Sequence, residues 1–569
     1  MPRNSGGFER RNKAGGSATV ADKTVMRKVS SMPTSFRFPS AHVRRGGVRR
    51  SLIRTFPLWL SLAALPSYLA AQQVQLNVVE RKLKNGMQVL MLERHDSPTV
   101  ALNLRFRVGS VDDPRGETGI AHMLEHMMFK GTKTYGTSNY QAEVPLMAKI
   151  DQLYGELETE TSKSRSAFEK PDEAKIKKLQ EEMASALAEE RKYIVKDEMF
   201  ETYQRVGAVG INASTGEDST QYFLSLPSNQ LELWAYLESD RIANPVFREF
   251  YAERDVVHEE RRMRTDNEPQ GALWENFIST AFQAHSYHNP IIGWSSDIDG
   301  LKREEVLRYF KTFYAPNNCI ATIVGDINPD KTMAILEKYF GSLPPQPLPT
   351  REITEEPPQI GERRVSLTLD AQPAIHIGYH IPVTGSEDTY ALEMLADVLS
   401  SSRTGRLYKS LVLEKKLALR DNAYAMTNLY PHLFIVSLSP AQGKSNDEVA
   451  KAVYEEIEKL QKEPPTQEEL TRVRNGVDAS LLRAMRSNFL LAEYLSTAQH
   501  LSGSWRYILT EIEKLQAVTP ADVQRVAKKY FNEENRTVAE IRSQPRPPRA
   551  PAGQPSGAAG ESTKSGEAQ

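Results

Sequence analysis

The chain has 569 residues, 40% of them hydrophobic and 25% charged, which is enough for two or more domains. Its formal net charge of −1 conceals an asymmetry: residues 1–54 hold 13 Lys/Arg against 2 Asp/Glu and residues 55–71 hold neither, so the chain beyond residue 71 is near −12. A mature protein that acidic is a poor match for nucleic acid or an anionic lipid surface, and a single cysteine, Cys319, excludes an intrachain disulfide or a cysteine-based metal site.

The basic stretch reads as a targeting segment covering residues 1–71. Arg44-Arg45, Arg49-Arg50 and Arg54 precede an apolar run from Phe56 to Leu65, and small residues follow at Ala70-Ala71. That is the order of an export signal, with cleavage expected after Ala71. The Arg49–Arg54 stretch loosely resembles a twin-arginine signal. A mitochondrial transit peptide is the competing reading, and Met26 and Met32 are alternative starts. Pro57, Pro66 and Ser67 break the run too often for a membrane span, so none is expected after cleavage.

Asn85-Gly86 then signals a type I′ hairpin turn between strands around 81–83 and 87–92. Val100, Leu102, Leu104, Phe106 and Val108 alternate as a half-buried strand. After a polar loop comes the most informative pentapeptide of the chain, His122-Met123-Leu124-Glu125-His126. Two imidazoles four residues apart on a helix leave the same face one turn apart and can reach one metal ion. Glu125 lies three residues after His122, on nearly the same face. This H-x-x-E-H order is the inverted form of a hydrolytic zinc motif. Met123, Leu124, Met127, Met128 and Phe129 make the helix apolar nearly all round, so the polar residues need partners and a metal satisfies all three.

Residues 155–200 are dense in Glu, Lys and Ala, with Ile176, Leu179, Met183, Leu187 and Ile194 at helical spacing. They predict a helical hairpin inserted at about 150–205 and projecting from the domain. A strand pair is expected over 210–226 and helices over 229–244 and 249–265. The second of these contains Glu253 and Glu260, seven residues apart and therefore on one face. Two histidines leave a catalytic zinc short of a protein ligand, and this acidic helix is the source to expect.

Residues 343–362, rich in Pro and Glu, read as a linker. The second half restarts the first: Ala374–Ile381 alternates like Val100–Val108, and a helix over Thr389–Leu399 stands where the His122 helix stood. The copy has no His between His380 and His432, so one metal per chain is expected. The fold class is α+β, with two homologous domains at 72–342 and 363–545, each an antiparallel-rich sheet packed with helices. Residues 546–569 read as a disordered tail.

The stretches Gly119–Gly131, Asn212–Thr215 with Thr220–Tyr222, Glu253–Glu260, His285–Gly293 and Tyr314–Asp326 together resemble the pitrilysin (insulinase) family of zinc metallopeptidases in its two-domain form. The resemblance implies His122, His126 and Glu260 as ligands of one Zn2+, with Glu259 as the alternative to Glu260. It implies Glu125 as general base and Glu253 as the carboxylate that orients a ligand. Asn212 and Ala213 fall on the edge strand where such enzymes lay out a peptide by strand addition, and Arg406 falls in a block that contacts substrate.

Two departures stand out. Glu260 follows His126 by 134 residues, far beyond the family's usual spacing, which the helical insertion accounts for. Leu419 stands where active members carry a Tyr, and Leu cannot donate to an oxyanion. The expectation is a peptidase acting on peptides or unfolded polypeptides in a chamber of two chains. The expected partner is a sister chain supplying the Arg/Tyr pair, with a homodimer or a non-catalytic peptide-binding subunit as alternatives.

Overall fold

The computed structural model describes residues 76–544, apart from 166 and 402. The expected leader and tail lie outside the described residues.

The first half contains β1 (Val78–Lys82), β2 (Gln88–Glu93), β3 (Thr99–Phe106), β4 (Val209–Thr215), β5 (Thr220–Pro227) and β6 (Cys319–Gly325), in the spatial order β1-β2-β6-β3-β5-β4. All neighbours are antiparallel except β2 with β6. The second half holds β7 (Arg363–Leu369), β8 (Ala374–Ile381), β9 (Ala418–Ala425), β10 (His432–Pro440) and β11 (Arg536–Ser543), ordered β7-β11-β8-β10-β9. Here only β7 with β11 is parallel. The path β6-β3-β5-β4 is repeated as β11-β8-β10-β9, so the chain is a duplicated α+β unit. The strands that end this repeated path, β4 in one sheet and β9 in the other, each lie at a free edge.

The β1–β2 turn differs from the expected type I′ form. Of Asn85 and Gly86, only Gly86 has positive φ, at 93°, whereas type I′ requires it of both. Asn85 is instead buried, its amide donating to the Phe340 and Leu343 carbonyls at 2.7 and 3.1 Å.

Helix α1 (Ile120–Met127) lies against the first sheet. The insertion begins earlier than expected, with α2 (Tyr140–Ser162) and α3 (Glu173–Glu190) packed on each other, and a separate short α4 (Glu198–Arg205) leads into β4. The hairpin does not project: Ile150, Leu153, Leu179, Met183 and Ala186 join the main core of the first half. Its narrow apolar stripe is diluted by surface charge in the sequence, yet that stripe is what docks it. Tyr154 stacks on Tyr251 with ring centroids 4.1 Å apart. Helix α5 (Leu231–Ala243) and helix α6 (Phe250–Arg261) complete the layer beside α1.

The two halves exchange helices. α7 (Pro269–Ala281), from the first half, packs Leu273, Phe277, Ile278 and Ala281 on Ala374, Leu433, Ile435, Ala539 and Ile541 of the second sheet. Reciprocally, the helix Asn488–Ser502 places Leu491, Ala492, Leu495 and Ala498 on Leu90, Ala101, Ile320 and Val324 of the first. Each fully buried Leu stabilises by about 1.5–3 kcal/mol, so neither sheet is covered without the other half. A polar contact fixes the register, with Asn103 of β3 donating to Glu493 at 2.6 Å in a buried setting. The segment between the sheets has no helix or strand over 344–361, but it is pinned: the Glu356 carboxylate accepts the backbone N–H groups of Gln283, Ala284 and His285 at 2.8–3.1 Å.

Candidate metal centre

Helix α1 starts where two glycines meet. Gly119 and Gly293 both take positive φ, at 87° and 90°. A Cβ on Gly119 would sit 2.5 Å from the Ile292 carbonyl oxygen, and one on Gly293 2.3 Å from that of Thr118. Only glycine permits that approach. The Asp113 carboxylate then accepts from the Gly119 and Ala121 N–H groups at 2.7 and 3.2 Å, closing the positive end of the helix.

From this helix His122 and His126 present their rings 4.7 Å apart. Glu260, on α6, brings Oε2 to 3.3 Å from His126 Nε2 and 3.8 Å from His122 Nε2. The three ligand atoms all lie within 4.8 Å of one another. Glu253, two turns earlier on α6, faces the other nitrogen of His126: Oε1 is 2.8 Å from Nδ1. Its second oxygen lies 2.5 Å from Lys130 Nζ. Glu259, the alternative ligand, points elsewhere and pairs with Arg262 at 2.5 Å, and His258 pairs with Asp299 at 2.8 Å.

The charges are sorted by these contacts. Burial and the neighbouring His126 hold His122 down to about 3, so its ring stays neutral. Burial also works against His126, but the Glu253 and Glu260 carboxylates override it and raise it to about 10. Burial opposes ionisation of Glu253 and Glu260 as well, and their cationic neighbours, His126 foremost, bring both down to about 2. Burial pushes Glu125 up, while the Thr215 hydroxyl, donating to its Oε2 at 2.5 Å, acts the other way. Two imidazoles and a carboxylate with converging atoms fit Zn2+, which takes His nitrogen and carboxylate oxygen. Glu125 and His126 are only partly buried, so the cluster opens to solvent.

Asn212 and Ala213 lie in β4 with one side unpaired, opposite Phe223 and Tyr222 of β5 on the other. Arg406 is placed differently: its guanidinium is held by both Glu469 oxygens at 2.8 Å each.

Three partners escaped the sequence reading. Thr215 touches Glu125 only because β4 folds back beside α1, across 90 residues. Lys130 stands four residues after His126 and supports Glu253. Arg264 lies 2.5 Å from Glu260 Oε1, on a π-helical turn over Arg262–Asp266. Its i,i+4 spacing from Glu260 was a usable signal.

A duplicated α+β chain with a helix-borne His-His-Glu centre in one copy defines a class of two-domain metallopeptidases. Residues 88–169 and 163–294 match the model of the Insulinase (Peptidase family M16), and residues 300–477 that of the Peptidase M16 inactive domain. The chain belongs to this family, also called the pitrilysin family. It is 29% identical over 474 residues to a Helicobacter pylori protein named zinc protease PqqE, covering 81% of this chain and 91% of that one. A crystal structure of a protease from Helicobacter pylori superposes with a TM-score of 0.68 at 24% identity, covering 82% of this chain and all of that one. The first half of the periplasmic protease PqqL from Escherichia coli gives a TM-score of 0.60 at 17% identity, covering 82% and 91%. These last two likenesses establish the fold.

Proposed function

We propose that the chain is a zinc-dependent endopeptidase acting on peptides or unfolded polypeptides. The convergence of His122, His126 and Glu260 beside Glu125, on a face open to solvent, carries this reading. Zn2+ held by those three residues, one ion per chain, would lower the pKa of a water and polarise the scissile carbonyl. Glu125 takes the proton of the attacking water and passes it to the leaving amine. Its burial supports this role, because a carboxylate with a raised proton affinity is the better base near neutral pH. Glu253 and Lys130 keep His126 aimed. The free edge of β4, at Asn212 and Ala213, receives the substrate as an added strand.

We read the oxyanion side of the site as incomplete, with Arg406 in the Arg block and Leu419 in place of the Tyr. Leu419 is 64% exposed on the edge strand β9 and has no group to donate to a developing oxyanion. The assembly we propose is a chamber closed by a sister chain that supplies an Arg/Tyr pair, with a homodimer as the alternative. In that assembly Arg406 meets substrate only by leaving Glu469. We read the leader pattern as an export signal, to the periplasm or outside the cell, and the description of the Escherichia coli neighbour as periplasmic favours the first.

The test is Glu125→Gln assayed on an unstructured peptide with zinc content measured in parallel. The variant is expected to keep one zinc and to lose turnover by about 10²–10⁴-fold. Wild-type turnover in a variant that still holds zinc would refute the assignment of the base.

A further inference from the structure

Among the described residues the second half adds no ligand to the His122, His126 and Glu260 cluster, yet it reaches the proposed base through one turn. Between β4 and β5, Glu217 and Asp218 are buried to 8% and 7% exposure. Among the described residues neither forms an ion pair with Lys or Arg. Their donors come mainly from the other half. Asn428 Nδ2 donates to Glu217 at 2.6 Å and to Asp218 at 3.1 Å, and the Leu429 N–H donates to Asp218 at 2.9 Å. His432 Nε2 lies 3.2 Å from Glu217. Because His432 Nδ1 accepts the Leu433 N–H at 2.8 Å, Nε2 is the nitrogen that carries the proton, so His432 donates here. Tyr287 adds its hydroxyl to Asp218 at 2.7 Å from the first half.

The turn has no freedom on its other side. The Ser110 and Val111 N–H groups donate to the Gly216 and Glu217 carbonyls at 3.1 and 2.9 Å. The residue entering the turn is Thr215, whose hydroxyl holds Glu125 Oε2 at 2.5 Å. A buried carboxylate that loses a donor keeps its desolvation penalty with nothing to offset it. Asn428 and His432 therefore hold the side-chain end of the turn in place, while Ser110 and Val111 hold its backbone.

We infer that Asn428 and His432 are positioning residues: through the Glu217–Asp218 turn and Thr215, the second half sets the orientation of the Glu125 carboxylate. This rests on the reading of Glu125 as the general base. The path from β10 to α1 runs through the His432 contact with Glu217, the backbone of residues 215–217 and the Thr215 hydrogen bond to Glu125. It gives the half without ligands a part in catalysis that does not require it to touch substrate.

The experiment compares full-length wild type with Asn428→Ala, His432→Ala, His432→Gln, Thr215→Val and the Asn428→Ala/Thr215→Val double variant, together with any partner that co-purifies. Amide hydrogen exchange over 209–220, zinc content, kcat and KM are measured. Asn428→Ala and His432→Ala are expected to speed exchange at 215–219 by about tenfold or more, leaving other strands of the first sheet and the zinc content unchanged. In both, kcat should fall by about tenfold and KM should change much less. His432→Gln, which can still donate, should recover most of the loss. The double variant should be no worse than the more impaired single one, because both act through one contact.

Multiplicative losses in the double variant, unchanged exchange at 215–219, or exchange raised uniformly along the chain would each overturn the inference. A wild-type protein that binds zinc and cleaves no peptide would instead remove the peptidase reading. The exchange profile at 215–219 would then decide the coupling alone.

Discussion

Glu253 holds His126 by Nδ1 at 2.8 Å, leaving Nε2 turned toward Glu260. In the neutral ring this places the proton on Nδ1 and the lone pair on Nε2, the tautomer a metal requires. Both carboxylates come from one face of α6, so a single helix supplies the proposed ligand Glu260 and the group that aims the proposed ligand His126.

Glu253→Gln should therefore weaken zinc affinity without removing the site, by about 10–100-fold. Competition with a chromogenic chelator measures it. Affinity equal to wild type would show that His126 is oriented without Glu253.

His122→Ala should lose the metal itself, since His126 and Glu260 alone leave too few protein ligands for a stable zinc site. Metal analysis after dialysis reads the outcome. One full equivalent of retained zinc would exclude His122 as a ligand.

Arg248 ties the loop after α1 to the insertion. It is 1% exposed, lies 3.1 Å from the fully buried Glu143 of α2, and donates to the Lys130 and Thr132 carbonyls at 2.6 and 2.7 Å. Arg248→Met strands a buried carboxylate and should cost about 3–5 kcal/mol in urea denaturation. Pairing it with Glu143→Leu should recover much of that loss. If the single variant is as stable as wild type, the ion pair does not anchor the hairpin.

Glu393 and Glu511 face each other between the helices Glu387–Ser400 and Tyr507–Ala517. Burial raises both above the ordinary 4.5, and for Glu393 the Glu511 carboxyl adds to the effect. Above pH 4.5 the folded chain keeps a proton that the unfolded chain releases, so this pair makes stability fall as pH rises. Below 4.5 both states are protonated and the effect vanishes. Glu511→Gln should raise the melting temperature at pH 8, by about 2–4 °C for each 1 kcal/mol relieved, with the gain shrinking toward pH 5. An equal gain at both values would contradict a titrating pair.

Much of the candidate site was legible because its signals are local. His122, Glu125 and His126 share a face by helical period alone, and so do Glu253 and Glu260. The strand Ala374–Ile381 was readable from its alternation, and the structure bounds it at the same residues. The insertion was legible as helix but not in its placement. Ile, Leu and Met positions spaced along a charged surface give no sign of which surface they meet, and Ile150, Leu179 and Met183 dock where only the folded core defines a complement. Asn85 shows the same limit: Asn-Gly carries a turn preference, but the buried carbonyls of Phe340 and Leu343, 255 and 258 residues away, claimed its side chain.

By itself the sequence determined the chemistry on offer: two imidazoles and a carboxylate at one helical face, a second pair of carboxylates at another, and a repeated α+β pattern that has lost its ligands. Periodicity and residue type suffice for that, because they act within a turn or two of backbone. Tertiary structure alone decided which groups meet. Thr215 reaches Glu125, Glu253 rather than a solvent molecule takes His126 Nδ1, and Arg406 is engaged by Glu469. It also exchanged α7 and the helix Asn488–Ser502 between the two sheets. Those outcomes depend on burying apolar faces and satisfying buried polar atoms across hundreds of residues, and no local pattern encodes the partner.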